Sequence, residues 1–306
     1  MTAADPHPPV LAVVGSTAVG KSDLAVAVAQ RLGGEIVNAD SMQLYRGMDV
    51  GTAKLSETEQ GGVVHHLLDV WDVRAEANVA GYQRMARAAF AAARARGARP
   101  VLVGGSGLYV RAALDRMEFP GTDPALRARL EAELVADGPG ALHRRLAEVD
   151  PEAAARILAS NGRRLVRALE VIELTGRPFT AALPEPAYEV PAVQVGLTLP
   201  RPVLDERIAA RVDRMWEQGL VEEVRRLVDA GLRDGRTASQ AMGYAQVLRH
   251  LDGEWSQEQA KDETVRATRR FARRQESWFR RDPRVVWLDA ADTGLVERAL
   301  GELTRS

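Results

Sequence analysis

Past Pro9 the chain begins an apolar run, Val10 to Val14 (VLAVV), that stops at Gly15. From Lys21 to about Leu32 apolar and polar positions recur with helical spacing, so the opening predicts buried strand, loop, helix. Glu35 to Asp40 and Pro100 to Gly104 are further strand-like runs, each ending in polar or glycine residues, and the proline-free stretch Val79 to Arg96 between them has a helical period. Val193 to Leu199 and Arg284 to Leu288 read as two more strands. Strands alternating with helices predict a parallel sheet. From about Asp115 to Pro191 the pattern changes: Leu126, Leu130 and Leu134, then Leu142, Leu146 and Val149, then Leu165, Leu169 and Ile172 recur at helical spacing without a strand-like run. Pro178, Pro184, Pro186 and Pro191 mark a linker back to the sheet. Later helices are predicted over Val203 to Ala230, Ala241 to Leu251 and Glu258 to Arg280. The expected fold is an α/β core, a parallel sheet flanked by helices, built from residues 1–115 and 191–306 around an all-helical insertion at 116–190.

Composition narrows the class. Of 306 residues, 46% are hydrophobic and 27% charged, and no stretch approaches the roughly 18 uninterrupted apolar residues of a membrane span, so a membrane partner is not expected. The start, MTAADPHPPV, has neither the basic nor the apolar region of a leader, and cysteine is absent. That excludes disulfides, thiolate zinc sites and cysteine nucleophiles, and points to the cytoplasm. Basic and acidic residues number 41 and 42, a net charge of −1 that speaks against a nucleic-acid partner held by bulk charge. The balance is uneven along the chain: residues 1–76 carry 5 basic and 10 acidic side chains, residues 77–114 carry 6 and none, and residues 264–281 carry 7 and 1. Local arginine surfaces can therefore meet a polyanion where the whole chain would not.

Between the first strand and the first helix, Gly15-Ser16-Thr17-Ala18-Val19-Gly20-Lys21-Ser22 fits G-x-x-x-x-G-K-[ST]. Such a loop turns backbone N–H groups toward phosphate oxygens, adds the positive end of a helix, neutralises charge with its lysine and offers its hydroxyl to Mg²⁺. A phosphate site is predicted, but kinase, nucleotide hydrolase and diphosphate-releasing transferase all remain open. Asp40 stands at the carboxyl end of the second strand, where open α/β sheets bind ligands; it can serve as general base, water-mediated Mg²⁺ ligand or helix N-cap. Taken alone, Arg211 reads as the partner of a nearby carboxylate such as Asp213, and Gln43 as a helix-surface amide. His65 and His66 read as loop packing, since adjacent histidines seldom turn to one metal ion.

Together, GSTAVGKS at 15–22, DSMQLY at 40–45, GTAK at 51–54, HHLLD at 65–69, GGSGLY at 104–109, RALEV at 167–171, Arg211 with Met215, GY at 243–244 and TRRFARRQESWFRR at 268–281 resemble the tRNA dimethylallyltransferases (tRNA isopentenyltransferases) in order and over nearly the whole chain. The resemblance implies a P-loop NTPase-like fold and transfer of a dimethylallyl group from dimethylallyl diphosphate to N6 of adenine 37, beside the anticodon, in tRNAs reading codons that begin with U. Diphosphate is the leaving group. By the same resemblance, Lys21 and the N–H groups of residues 17 to 22 hold the diphosphate, and Ser22 with Mg²⁺ offsets its growing charge. Asp40 accepts the proton from N6, and Thr52 and Arg211 complete the reaction centre. On the RNA side, Asp40, Ser41, Met42 and Gln43 touch the flipped base and Ser106 lies beside the RNA. Arg127, Arg163, Arg164 and Arg167 of the insertion, and Arg269, Arg270, Arg273 and Arg274 of the last long helix, are expected to meet tRNA.

Within residues 264–281, Arg266, Arg269, Arg270, Arg273 and Arg280 fall largely on one helical face, while Phe271 and Trp278, expected in the core, share another. An enzyme that prenylates free adenylate would need no such surface. Ser22 stands where the family more often has threonine, and GGSG where it has GGTG; both keep a hydroxyl. Ser160-Asn161-Gly162-Arg163-Arg164 replaces the family's N-D-P-Q-R, which retains arginine but changes the turn residues. A monomer is expected.

Overall fold

The computed structural model describes residues 8–179 and 183–305; the opening segment read for a leader lies, through His7, outside them. In chain order the elements are β1 (Val10–Gly15), α1 (Lys21–Leu32), β2 (Gly34–Asn38), β3 (His65–His66), α2 (Val79–Ala95), β4 (Arg99–Gly104), α3 (Gly107–Leu114), α4 (Pro124–Val149), α5 (Pro151–Arg156), α6 (Gly162–Thr175), β5 (Ala192–Thr198), α7 (Arg201–Glu217), α8 (Leu220–Asp229), α9 (Tyr244–Leu251), α10 (Gln257–Phe279), β6 (Val285–Asp289) and α11 (Leu295–Glu302). Among the described residues no helix is long and apolar enough to cross a membrane. The chain divides into two compact units, Met1–Arg116 with Pro186–Ser306, and Met117–Glu185.

The larger unit carries a six-stranded sheet in the order β3-β2-β4-β1-β5-β6, every pairing parallel. Each of the five apolar runs forms a strand. All six residues of β1 are buried, as expected of a strand covered on both faces, and this is why its sequence is an unbroken apolar run. The sequence showed no sign of β3: His65 and His66 pair with Ile36 and Val37 for two residues only, too short for any period to register. His66 Nε2 lies 2.6 Å from Glu35 Oε2, which also receives Arg96, so the histidines brace a sheet edge. The single helix predicted over Val203 to Ala230 is two, because Gly219 takes φ 88° and turns the chain between α7 and α8.

Apolar clusters hold this unit together. Leu11, Val13, Leu24, Val28, Ile36, Val101, Val195, Ile208 and Ala272 join the sheet to α1, α7 and α10. Tyr45, Met48, Leu220, Val224, Tyr244 and Val247 pack the segment after β2 against α8 and α9. β1 lies between β4 and β5, so the segments following β1, β2 and β4 emerge along one edge of the sheet. Ser106 N donates to Ala39 O at 3.3 Å, and Ser41 N to Ser106 Oγ at 3.2 Å, which ties two of those segments directly.

The smaller unit is helical. Its core is Leu130, Leu142, Leu146, Ile157, Leu165, Val166 and Leu169, drawn from α4, α6 and the turn after α5. α4 is broken at Gly138 (φ 75°, ψ 167°), ahead of Pro139. Glu170, fully buried in α6, accepts Arg127 Nη2 and Arg167 Nη1 at 2.7 Å each, Thr122 Oγ1 at 2.5 Å and Asp123 N at 3.3 Å. Arg167 also donates to the Pro120 and Gly121 carbonyls. Two arginines expected at tRNA are thus engaged inside the unit. Burial alone would raise the Glu170 pKa, but the bonds from Arg127, Thr122 and Arg167 overcome it and hold the carboxyl at about 2.

This carboxylate contributes stability that is present above about pH 4.5 and is lost as pH falls toward 2. Glu170→Ala leaves two guanidinium groups facing a vacated site and is expected to cost about 3–5 kcal/mol. Urea unfolding of the variant should show a lower midpoint and a flatter stability profile over that acid window.

Candidate active site

The loop between β1 and α1 has the geometry its sequence predicts. Ala18 and Gly20 adopt the left-handed φ values of 63° and 107°, and α1 starts at Lys21. Lys21 Nζ donates to Ser16 O at 2.7 Å, folding the side chain back over the loop. Arg211, on α7, donates from Nη1 to Thr17 Oγ1 at 3.1 Å. Asp213, the partner expected for it, pairs instead with Lys261 at 2.7 Å. One N–H expected on the diphosphate is otherwise engaged: Thr17 N donates to Gln275 Oε1 at 2.9 Å.

Asp40 follows β2 and is set by Asn38, which is buried at the strand's end. Asp40 N donates to Asn38 Oδ1 at 2.9 Å, and Asn38 Nδ2 donates to Asp40 O and Leu67 O at 3.0 Å each. Asp40 Oδ1 accepts Met42 N at 2.9 Å, an Asx turn; no helix begins there, so the N-cap alternative is gone. Oδ2 makes no hydrogen bond among the described residues. Gln43 Nε2 donates to Thr52 O at 3.1 Å and Ala53 O at 3.4 Å, leaving its acceptor Oε1 unengaged among the described residues.

The segment 49–54 forms the opposite wall. Glu223, buried in α8, accepts Asp49 N, Val50 N and Gly51 N at 3.1, 2.8 and 3.2 Å, and Tyr244 Oη donates to it at 2.6 Å. Lys54 Nζ, with 6% of its side chain exposed, sits between Asp49 (2.5 Å) and Asp69 (2.6 Å). Thr52 Oγ1 donates to Met48 O at 2.6 Å, so its hydrogen points into its own loop.

These parts line one cavity of about 760 Å³ that includes Thr17, Lys21, Ser22, Asp40, Gln43, Thr52, Asp69, Gly104, Arg211 and Arg214. Lys21, Arg211 and Arg214 have no salt-bridge partner among the described residues. Burial, with Arg211 nearby, pulls the Lys21 pKa down to about 8 against the opposing effect of Asp40. Burial likewise lowers that of Arg211, with Arg214 adding to it. Lys21 and Arg211, both half-buried at the phosphate loop, and the exposed Arg214 gather positive charge on one side of the cavity, with Asp40 as the carboxylate that offsets the first two, an arrangement that can receive a ligand of multiple negative charge.

A sequence model of the family described as IPP transferase matches residues 43–282, and one described as isopentenyl transferase matches residues 8–76. The tRNA dimethylallyltransferase of Thermobifida fusca is 70% identical over 295 residues, 95% of this chain and 92% of that one. The chain belongs to the IPP transferase family. The crystal structure of the full-length tRNA isopentenylpyrophosphate transferase of Bacillus halodurans matches with TM-score 0.71 at 41% identity, covering 98% of each chain. A eukaryotic dimethylallyltransferase, seen in crystallographic snapshots of its action on tRNA, matches with TM-score 0.81 at 25% identity, covering 96% of this chain and 78% of that one.

For an IPP transferase the motifs divide in an instructive way. The structure brings Lys21, Ser22, Asp40, Gln43, Thr52 and Arg211 around one cavity. Ser41 and Ser106 meet each other beside it. Arg163 and Arg164 are exposed on α6, and Arg270, Arg273 and Arg274 on α10. Arg269 is tied to α7, donating to Asp205 O at 3.1 Å. Phe271 and Trp278, expected in the core, are partly buried, and the Arg274 guanidinium lies 5.7 Å from the Phe271 ring centre. Glu223 escaped the sequence because its partners at 49–51 lie far off in the chain, and Asn38 and Arg214 carry no motif signal of their own; Lys54, Tyr244 and Gln275 lay in quoted motifs without an assigned task.

Affinity for inorganic diphosphate should decline as pH rises through about 8, where free Lys21 loses its proton, and Lys21→Arg should abolish that decline. Calorimetric titration across pH 7 to 10 on both proteins checks this. The unfolded chain holds this proton up to its ordinary pKa of 10.5, so the Lys21 contribution to stability rises with pH between about 8 and 10.5. Glu223→Ala, which leaves three backbone N–H groups unpaired, should expose segment 49–54 to rapid amide exchange while α1 stays protected.

Proposed function

We propose that this chain transfers a dimethylallyl group from dimethylallyl diphosphate to N6 of adenine 37 in tRNAs reading codons that begin with U, releasing diphosphate. The observation that carries the reading is one cavity lined by a phosphate loop, two half-buried cations, Lys21 and Arg211, a carboxylate, Asp40, and an amide, Gln43. Lys21, Arg211 and the N–H groups of residues 18 to 22 hold the diphosphate. The N6 lone pair attacks C1 of the dimethylallyl group, the C1–O bond breaks, and its electron pair leaves with the diphosphate. N6 is a weak nucleophile because its lone pair is shared with the purine; Asp40 Oδ2 takes the proton released as the new C–N bond forms. Gln43 Oε1 accepts from the flipped base. Thr52 contributes by holding the wall rather than by donating to the diphosphate.

A Mg²⁺ ion belongs to the same reading. Ser22 lines the cavity, and its hydroxyl could take one place on an ion whose other ligands come from diphosphate and water. When bound, it offsets charge on the departing diphosphate. Residues 116–190 act as a tRNA-contact lobe through Arg163 and Arg164, and the outer face of α10 meets RNA through Arg270, Arg273 and Arg274. The protein works as a cytoplasmic monomer.

Incubation with labelled dimethylallyl diphosphate should place label in unmodified tRNA; label in free AMP instead overturns the acceptor. Asp40→Asn should slow transfer by about 10²- to 10⁴-fold with tRNA binding retained. Near-normal turnover removes Asp40 as the base. Neutralising Arg270, Arg273 and Arg274 together should weaken tRNA binding and reduce the slope of log K against log salt by about two to three.

A further inference from the structure

The buried residue of α10 that faces the phosphate loop has no part in the chemistry above. Gln275 is 5% exposed and makes two hydrogen bonds across long sequence distances: its Oε1 accepts Thr17 N at 2.9 Å, and its Nε2 donates to Gly105 O at 2.9 Å. The orientation of the amide is dictated, since a backbone N–H demands the oxygen and a carbonyl demands the NH₂. Thr17 is in turn the acceptor for Arg211 through Oγ1. The glycine-rich turn is shaped to this contact: a Cβ on Gly105 would lie 2.2 Å from Gln275 Nε2, and one on Gly107 2.1 Å from Trp278 Nε1. Gln275 and Trp278, three apart on one ridge of α10, seat in a trough that only glycine leaves open.

We propose that Gln275 is a positioning residue for the leaving-group site. It fixes Thr17, so that the next N–H groups of the loop face the ligand and Arg211 is held at the loop's mouth. The role rests on the reading of the cavity as a diphosphate site. A glutamine is well suited to it, because one planar group must accept from one loop and donate to another.

Binding of dimethylallyl diphosphate is measured first on the unaltered protein, and absence of binding there overturns the reading of the site itself. Gln275→Met keeps the volume and removes both hydrogen bonds; it should weaken dimethylallyl diphosphate binding at least tenfold and raise its KM, with tRNA affinity within twofold. Gly105→Ala, which places a methyl group where Nε2 stands, should do the same. Gln275→Glu separates positioning from packing: the protonated acid can both accept from Thr17 N and donate to Gly105 O, whereas the carboxylate cannot donate. Its diphosphate affinity relative to the unaltered protein should therefore be best at low pH and fall as the new carboxyl ionises. Thermal melts establish that each variant is folded. Unchanged diphosphate affinity in folded Gln275→Met, or a pH-independent ratio for Gln275→Glu, overturns the positioning role.

Discussion

The constraint on which the rest depends is the placement of Lys21 and Arg211, both half-buried at the phosphate loop and without a salt-bridge partner among the described residues. Burying a cation without an anion is costly, and a folded protein usually avoids it by pairing. Here burial and neighbouring positive charge pull both pKa values down against the effect of Asp40, and a bound polyanion would push them back up. Much of the surrounding structure withholds carboxylates or keeps them occupied: Asp213 is paired to Lys261, Asp49 and Asp69 to Lys54, and Glu223 to three N–H groups. Asp40 remains as the carboxylate whose charge reaches both cations, and its Oδ1 is already engaged by Met42 N.

Motifs that look alike as strings turn out to do different work. GSTAVGKS and the Asp40 to Gln43 stretch line the cavity, whereas RALEV supplies Arg167 and Glu170 to a buried ionic node. Lys54 of GTAK and Asp69 of HHLLD are the two ends of one ion pair, and Tyr244 of GY completes the set of donors around Glu223. The glycines of GGSGLY make room for α10. A motif can be held in place by geometry as tightly as by chemistry, because a loop that misplaces a base by about 1 Å can lose on the order of 10²-fold in rate.

The near-zero net charge is likewise a sum over unlike parts. Much of the arginine is neutralised locally, as in Arg127 and Arg167 with Glu170, or Arg129 and Arg145 with Glu133 and Glu173. On α10, Arg266 and Arg280 pair with Glu263 and Glu276, while Arg270, Arg273 and Arg274 form an exposed cluster opposite the buried Ala272, Gln275 and Phe279. A surface of that kind suits local contact with a phosphate backbone and gives little pull on polyanions at a distance.

The sequence by itself determined the five longer strands, most of the helices between them, the helical insertion and the phosphate loop, because each is written in residues close enough in the chain for period or spacing to reveal it. It also placed Asp40 at a strand's carboxyl end, from which its nearness to the phosphate loop follows. Only the tertiary structure decided that Thr17 is bound by a residue 258 positions away, that Glu223 shapes a loop more than 170 positions upstream, that Arg211 turns to the phosphate loop and not to Asp213, and that Arg127 and Arg167 share the carboxylate of Glu170. Such partnerships leave no period in the chain. They depend on which surfaces the core brings together, and a buried polar group takes whichever partner folding puts within about 3 Å.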